Sequence, residues 1–201
     1  MGNQRNYDRE IFTRRQRHKT NLSDIRQAYD TGVQGAAAQR ERSMEEKITA
    51  EMLEDGSILV ALTQQYGEDR SDENFIALLS CLRDSVVWVP MNVIVSQEDQ
   101  EQFLKAKVGE EVKNKNAIRL KPDILAVASG AQFFPVFSQK EQIDEEYGRH
   151  FSMMPMPFLQ ALAAAQTYDV VGIVVDAFSA KLVIEKELFD FIKEMPTQLE
   201  E

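Results

Sequence analysis

Ser138 and Asp176 each stand directly after an apolar run, FFPVF and VVGIVV, and a hydroxyl and a carboxylate in that setting could hold a polar ligand. Such runs read as strands. If the two strands share a sheet and are joined by helices, the crossover makes them parallel and puts their carboxyl ends on one edge. Ligands of open α/β sheets bind at that edge. Asn92, just past a third run, VVWVP, and Lys140, beside Ser138, complete a candidate ligand-binding set of Asn92, Ser138, Lys140 and Asp176. The same residues also have a plainer reading. Ser138 and Glu141 make Ser-x-x-Glu, a capping box that would open a helix over about 139–147, while Asp176 would only open a turn.

Other chemistry is sparse. His18 and His150 have no cysteine or carboxylate at metal-ligand spacing, and there is no Gly-rich phosphate loop or nucleophile elbow. No catalytic residue, metal or cofactor is therefore expected. Cys81, the single cysteine, sits in FIALLSCL and reads as a buried, inert thiol. Asp144, Glu145 and Glu146 read as a solvated helix face.

The net charge of −10 is unevenly spread: up to Lys47 there are 10 Lys and Arg against 7 Asp and Glu, whereas the remainder is strongly acidic. An acidic body repels nucleic acid and anionic membranes, so neither is expected as a partner. The basic cluster RRQRHK offers Arg14, Arg15, Arg17 and Lys19 as contacts for an unknown protein partner. No apolar run reaches the roughly 18 residues of a membrane span, and the leading residues carry charges where a signal peptide needs an apolar stretch, so a cytoplasmic protein is expected.

The elements that must position these residues follow from periodicity. Residues 1–43 read as a flexible basic arm, in which Leu22, Ile25 and Tyr29 fall at helical spacing, and residues 44–201 read as one domain. Short helices are expected over Met44–Leu53 and Ile58–Tyr66, split at Asp55-Gly56. Ser71 caps a helix carrying Phe75, Leu78, Leu79 and Leu82 on one stripe. A strand over Val86–Val89 is expected to stop at Pro90, and Ser96 to start a helix. Ile124–Ala128 and Phe133–Phe137 form a hairpin, with Phe134 and Val136 on one face and Phe133, Pro135 and Phe137 on the other. The Met-rich FSMMPMP leads into a helix from Phe158, after which come strands over Val170–Val175 and Lys181–Ile184 and a closing helix, Glu187–Met195. The fold class is α+β: a small mixed sheet with a β-hairpin and a parallel crossover, flanked by helices.

SDENFIALLSCLRDSVVWVPMN, LKPDIL, FFPVFSQKEQI and VVGIVVDAFSAKLVIEKELFDFI, in this order and at these separations, resemble the N-terminal domain of the SseB family, named for enhanced serine sensitivity. The likeness runs from about Ser57 to Met195 and leaves the arm out. It departs at two positions, where the family often has Thr for Ser138 and Asn for Asp176. The resemblance implies an α+β fold and brings no established catalytic activity. Together the observations point to a non-catalytic protein-interaction module, with a small-molecule-binding protein or enzyme that uses the Ser138 and Asp176 edge as the alternative.

Overall fold

The computed structural model describes residues 22–39, 53–107 and 110–199. The expected helix from Met44 falls almost wholly outside them, as does the basic cluster with Arg14, Arg15, Arg17 and Lys19. Helices α1 (Leu22–Gln39), α2 (Ser57–Glu68) and α3 (Asp72–Asp84) come first, followed by the long strand β1 (Val86–Ile94) and helix α4 (Gln97–Lys105). Strands β2 (Arg119–Pro122), β3 (Leu125–Ala126) and β4 (Gln132–Val136) lead to the one-turn helix α5 (Glu145–Gly148). Strand β5 (Ser152–Pro157) runs straight into α6 (Phe158–Ala165), and β6 (Gly172–Val175), β7 (Leu182–Glu185) and α7 (Phe189–Glu194) complete the chain.

The strands form two sheets, β2-β1-β5 and β3-β4-β6-β7. The second holds the β3–β4 hairpin and the parallel β4–β6 pair, so the α+β expectation stands. The antiparallel first sheet is an addition, because β5 is formed by the Met-rich segment and β1 does not stop at Pro90. Pro90 is tolerated because of where its missing N–H would point. Trp88 N–H donates to Phe137 C=O at 2.8 Å and Phe137 N–H to Trp88 C=O at 2.9 Å, an isolated antiparallel bridge between the sheets. Continuing that register by two residues would set Pro90 opposite Pro135, and the next pair of bonds would need an N–H from both. The ladder stops there. Pro90 C=O instead accepts from Asp123 N–H at 2.9 Å, where β2 takes over as neighbour of β1.

Edge strand β5 uses proline in the same way. Phe158 N–H donates to Ser85 C=O at 2.9 Å, so even-numbered residues of β5 face β1 and residues 153, 155 and 157 face outward. Pro155 and Pro157 therefore remove outward donors and blunt the edge against pairing with another chain.

Two cores flank the second sheet. Phe134, Val136, Ile173 and Val175 point into the larger one, which also takes Leu78, Leu79 and Leu82 of α3, Val87 and Val89 of β1, and Phe158 and Leu162 of α6. Phe133, Phe137 and Val174 point the other way, onto Tyr147 and Ala177. The alternation read from FFPVF is thus the one the strand adopts. Ile25 of α1 is only 1% exposed and belongs to the larger core, with Leu22 and Tyr29 packed against it. Within the segment expected as an arm, these residues dock. Tyr29 meets the Phe191 ring edge-on at 5.6 Å, and Arg26 pairs with Glu194 at 3.2 Å. No helix among the described residues is long and apolar enough to cross a membrane.

Candidate functional site

Parallel pairing of β4 with β6 brings Ser138 and Asp176 to one edge. Asp176 N–H donates to Val136 C=O at 3.0 Å, and Ser138 N–H then donates to Asp176 Oδ1 at 2.8 Å. The side-chain carboxylate takes the place of the next carbonyl in the ladder. Ser138 Oγ donates to the second oxygen, Oδ2, at 2.7 Å. Both residues are closed off from solvent, at 0% and 1% exposure. Asp176 has φ 50°, a left-handed conformation that Asp tolerates better than most residues. It turns the chain outward, and its carbonyl accepts from Ser179 N–H and Lys181 N–H at 3.0 and 2.9 Å.

The capping-box reading of Ser138 does not hold, because no helix starts at the next residue; the Ser138 hydroxyl is used as a donor to Asp176 instead. Residues 140–142 form a single 3-10 turn whose preceding residue, Gln139, gives no side-chain cap. Helix α5 is capped instead by Asp144, whose Oδ1 accepts from Tyr147 N–H at 2.9 Å. Burying Asp176 with one acceptor oxygen idle would be penalised, and the Ser138 hydroxyl is the donor that serves it.

Of the other two candidates, Lys140 sets its Nζ 4.3 Å from the centroid of the Trp88 ring. Asn92 lies inside β1 opposite Lys121, several residues beyond the Trp88–Phe137 bridge. Because β1 runs antiparallel to β4 at that bridge, its carboxyl end points away from the Ser138–Asp176 edge, and the structure does not bring Asn92 to it.

Gly56, a break in the sequence reading, has a role there that the sequence did not reveal. Its φ is +74°, and a Cβ at this position would stand 2.2 Å from Ser138 O. Gln139 Nε2 donates to Asp55 C=O at 2.8 Å, while Asp55 Oδ1 accepts from Ser57 N–H, the first amide of α2, at 2.8 Å. The start of α2 is thereby laid over the strand end that carries the pair. Asp99, three residues after the Ser96 that starts α4, is a second residue whose role local pattern does not reveal. It is 2% exposed and accepts from the backbone N–H of Lys115 and Asn116 at 2.8 and 3.2 Å. The Lys115 amide, followed by the Ser96 hydroxyl, holds its carboxyl below the usual range.

Burial pushes the Asp176 carboxyl up, and the two Ser138 donors offset this only in part. A carboxyl raised in the folded state favours folding most below its unfolded value, near 3.8, and that contribution is lost as pH rises through the folded value. Asp176→Asn keeps an acceptor for Ser138 N–H and buries no charge. It is expected to remove this acid-side slope and to change stability at pH 7 by no more than about 1 kcal/mol, as urea unfolding across pH would record. Asp176→Ala strands the buried Ser138 amide and is expected to cost about 1–3 kcal/mol for that group alone.

No group of three or more His, Cys, Asp or Glu among the described residues is arranged to hold a metal ion. The family model described as SseB protein N-terminal domain matches residues 59–188. No curated protein and no solved structure matches the chain. The matched span covers both sheets and the Ser138–Asp176 pair, and on that match the chain belongs to the SseB family, through its N-terminal domain.

Proposed function

We propose that this domain is a non-catalytic protein-interaction module acting in the cytoplasm. The observation that carries the reading is the closure of its polar edge: Ser138 and Asp176, at 0% and 1% exposure, are committed to each other. General acid–base or nucleophilic chemistry needs such groups within reach of a substrate. The basic segment with Arg14, Arg15, Arg17 and Lys19 serves in this reading as a tether to the partner's acidic surface.

The left-handed backbone at Asp176 and its raised carboxyl favour a second reading, in which this edge, with Lys140 nearby, opens to take a small molecule. A thermal-shift screen of a metabolite library against the parent chain and Ser138→Asp separates the two. The module reading expects no concentration-dependent stabilisation of either protein, together with a stable complex between the chain and a purified partner. A metabolite that stabilises the parent and loses its effect in Ser138→Asp would overturn it.

A further inference from the structure

The far end of β1 is built differently from the rest of its sheet. Strand β5 pairs with β1 from Val86 to Met91, and β2 pairs with it from Met91 to Ile94. The last three residues of β1 therefore run past Ser152 with a strand on one side only. Odd-numbered residues of β1 turn their backbone groups toward β5, so Val93 presents its N–H and C=O to this open step.

The side chains there are apolar and uncovered. Val93 and Leu120 stand opposite each other on the face that carries Val87, Val89 and Met91 into the core, yet they are 51% and 44% exposed. Ile94, Ile118, Phe103 and Leu104 are also exposed, so this one stretch of chain holds six of the eight large exposed apolar side chains among the described residues. Asp99 braces the unit by tying α4 to the amides of Lys115 and Asn116, and Lys115 pairs with Glu98 at 2.8 Å. In a chain of net charge −10, residues 103–121 carry six Lys and Arg against two Glu. Lys107, Lys113, Arg119 and Lys121 are exposed and have no ion pair among the described residues.

We propose that the β1–β2 end with α4 is the docking face of the module, and that its occupant is an extended segment of a protein partner that alternates acidic and apolar residues. Such a segment would add a strand beside Val93, extend the apolar face of Val93 and Leu120 with its own apolar side chains, and turn its carboxylates to the other face, within reach of the long side chains of Arg119 and Lys121 across β1. The proposal rests on the interaction-module reading. A second copy meeting face to face would set these cations against themselves. A lipid surface is disfavoured because five of the six apolar side chains lie half-covered at 43–51% exposure, and only Leu104, at 86%, stands clear enough to enter a bilayer.

The test uses the full chain with a labelled peptide of alternating Val and Glu and its counterpart with Lys for Glu, followed by fluorescence anisotropy. The Glu peptide is expected to bind saturably, weakening as salt rises, and the Lys peptide not to bind. Val93→Glu is expected to weaken the Glu peptide by about tenfold or more with an unchanged melting temperature, and Arg119→Glu to do the same. Equal binding of both peptides, or no effect of Val93→Glu, would overturn the docking face. Adsorption of the parent to phosphatidylserine vesicles that Val93→Glu abolishes would overturn it in favour of a membrane. A purified partner that still binds Val93→Glu would sink this face and leave the module reading intact, whereas the lack of any partner complex would sink the module reading itself.

Discussion

Phe134→Ala is expected to lower unfolding free energy by about 3–5 kcal/mol, the largest loss of any single truncation in β4. Phe134 is 0% exposed and sits between β6 and the helices of the larger core, with the Tyr168 ring 6.2 Å away. Close-packed neighbours relax only partly around a deleted ring, so a cavity penalty adds to the lost burial. Phe137→Ala is expected to cost a similar amount on the opposite face, where its ring stacks on Phe178 at 5.7 Å and meets Tyr147 at 6.0 Å. Urea denaturation checks both. A Phe134→Ala or Phe137→Ala chain as stable as the parent would show that FFPVF is a surface strip and would revive a ligand at this strand.

Gly56→Ala is the second severe change. The methyl would meet the Ser138 carbonyl at 2.2 Å and Gln139 Cγ at 2.9 Å, in a backbone already at φ +74°. A side chain in the left-handed region costs about 1–3 kcal/mol by itself, and backbone cannot yield to a clash as a flexible side chain does. A loss of about 3 kcal/mol or more is expected. Gly67→Ala is the control, because it lies near the other end of α2 with nothing within 4 Å of the added Cβ. It is expected to be neutral or to stabilise by about 0.5–1 kcal/mol. Equal stability of the two variants in urea would mean that the start of α2 is not seated on Ser138.

Much of this arrangement could be read from local pattern. The stripe from Phe75 to Leu82, the Ser71 and Ser96 caps, and the alternation in FFPVF are short-range facts, and each holds in the fold. The meeting of Ser138 with Asp176 was legible too, because it needs only a parallel crossover. What the sequence could not show was that the two groups would satisfy each other and be sealed, since that depends on Gly56 arriving from a distant part of the chain. The same limit hid the docking of Ile25 and the course of β1. Pro90 reads locally as a strand terminator, and only the long-range pairing, with β5 on one flank and β2 taking over on the other, shows why the strand continues through it.

The two prolines that a longer β1–β4 ladder would set opposite each other, Pro90 and Pro135, also bear on the order of assembly. Strands β1 and β4 are both apolar and could zip together along their length, but β2 needs the same flank of β1, and β3 the same flank of β4. A full β1–β4 ladder would be a kinetic trap that excludes both short strands, and neither could displace a longer rival once formed. With a proline on each side, the wrong ladder cannot advance beyond Trp88 and Phe137, even while the chain is still collapsing. The flanks stay vacant until the β3 hairpin closes and residues 119–122 return from their long excursion to claim β1.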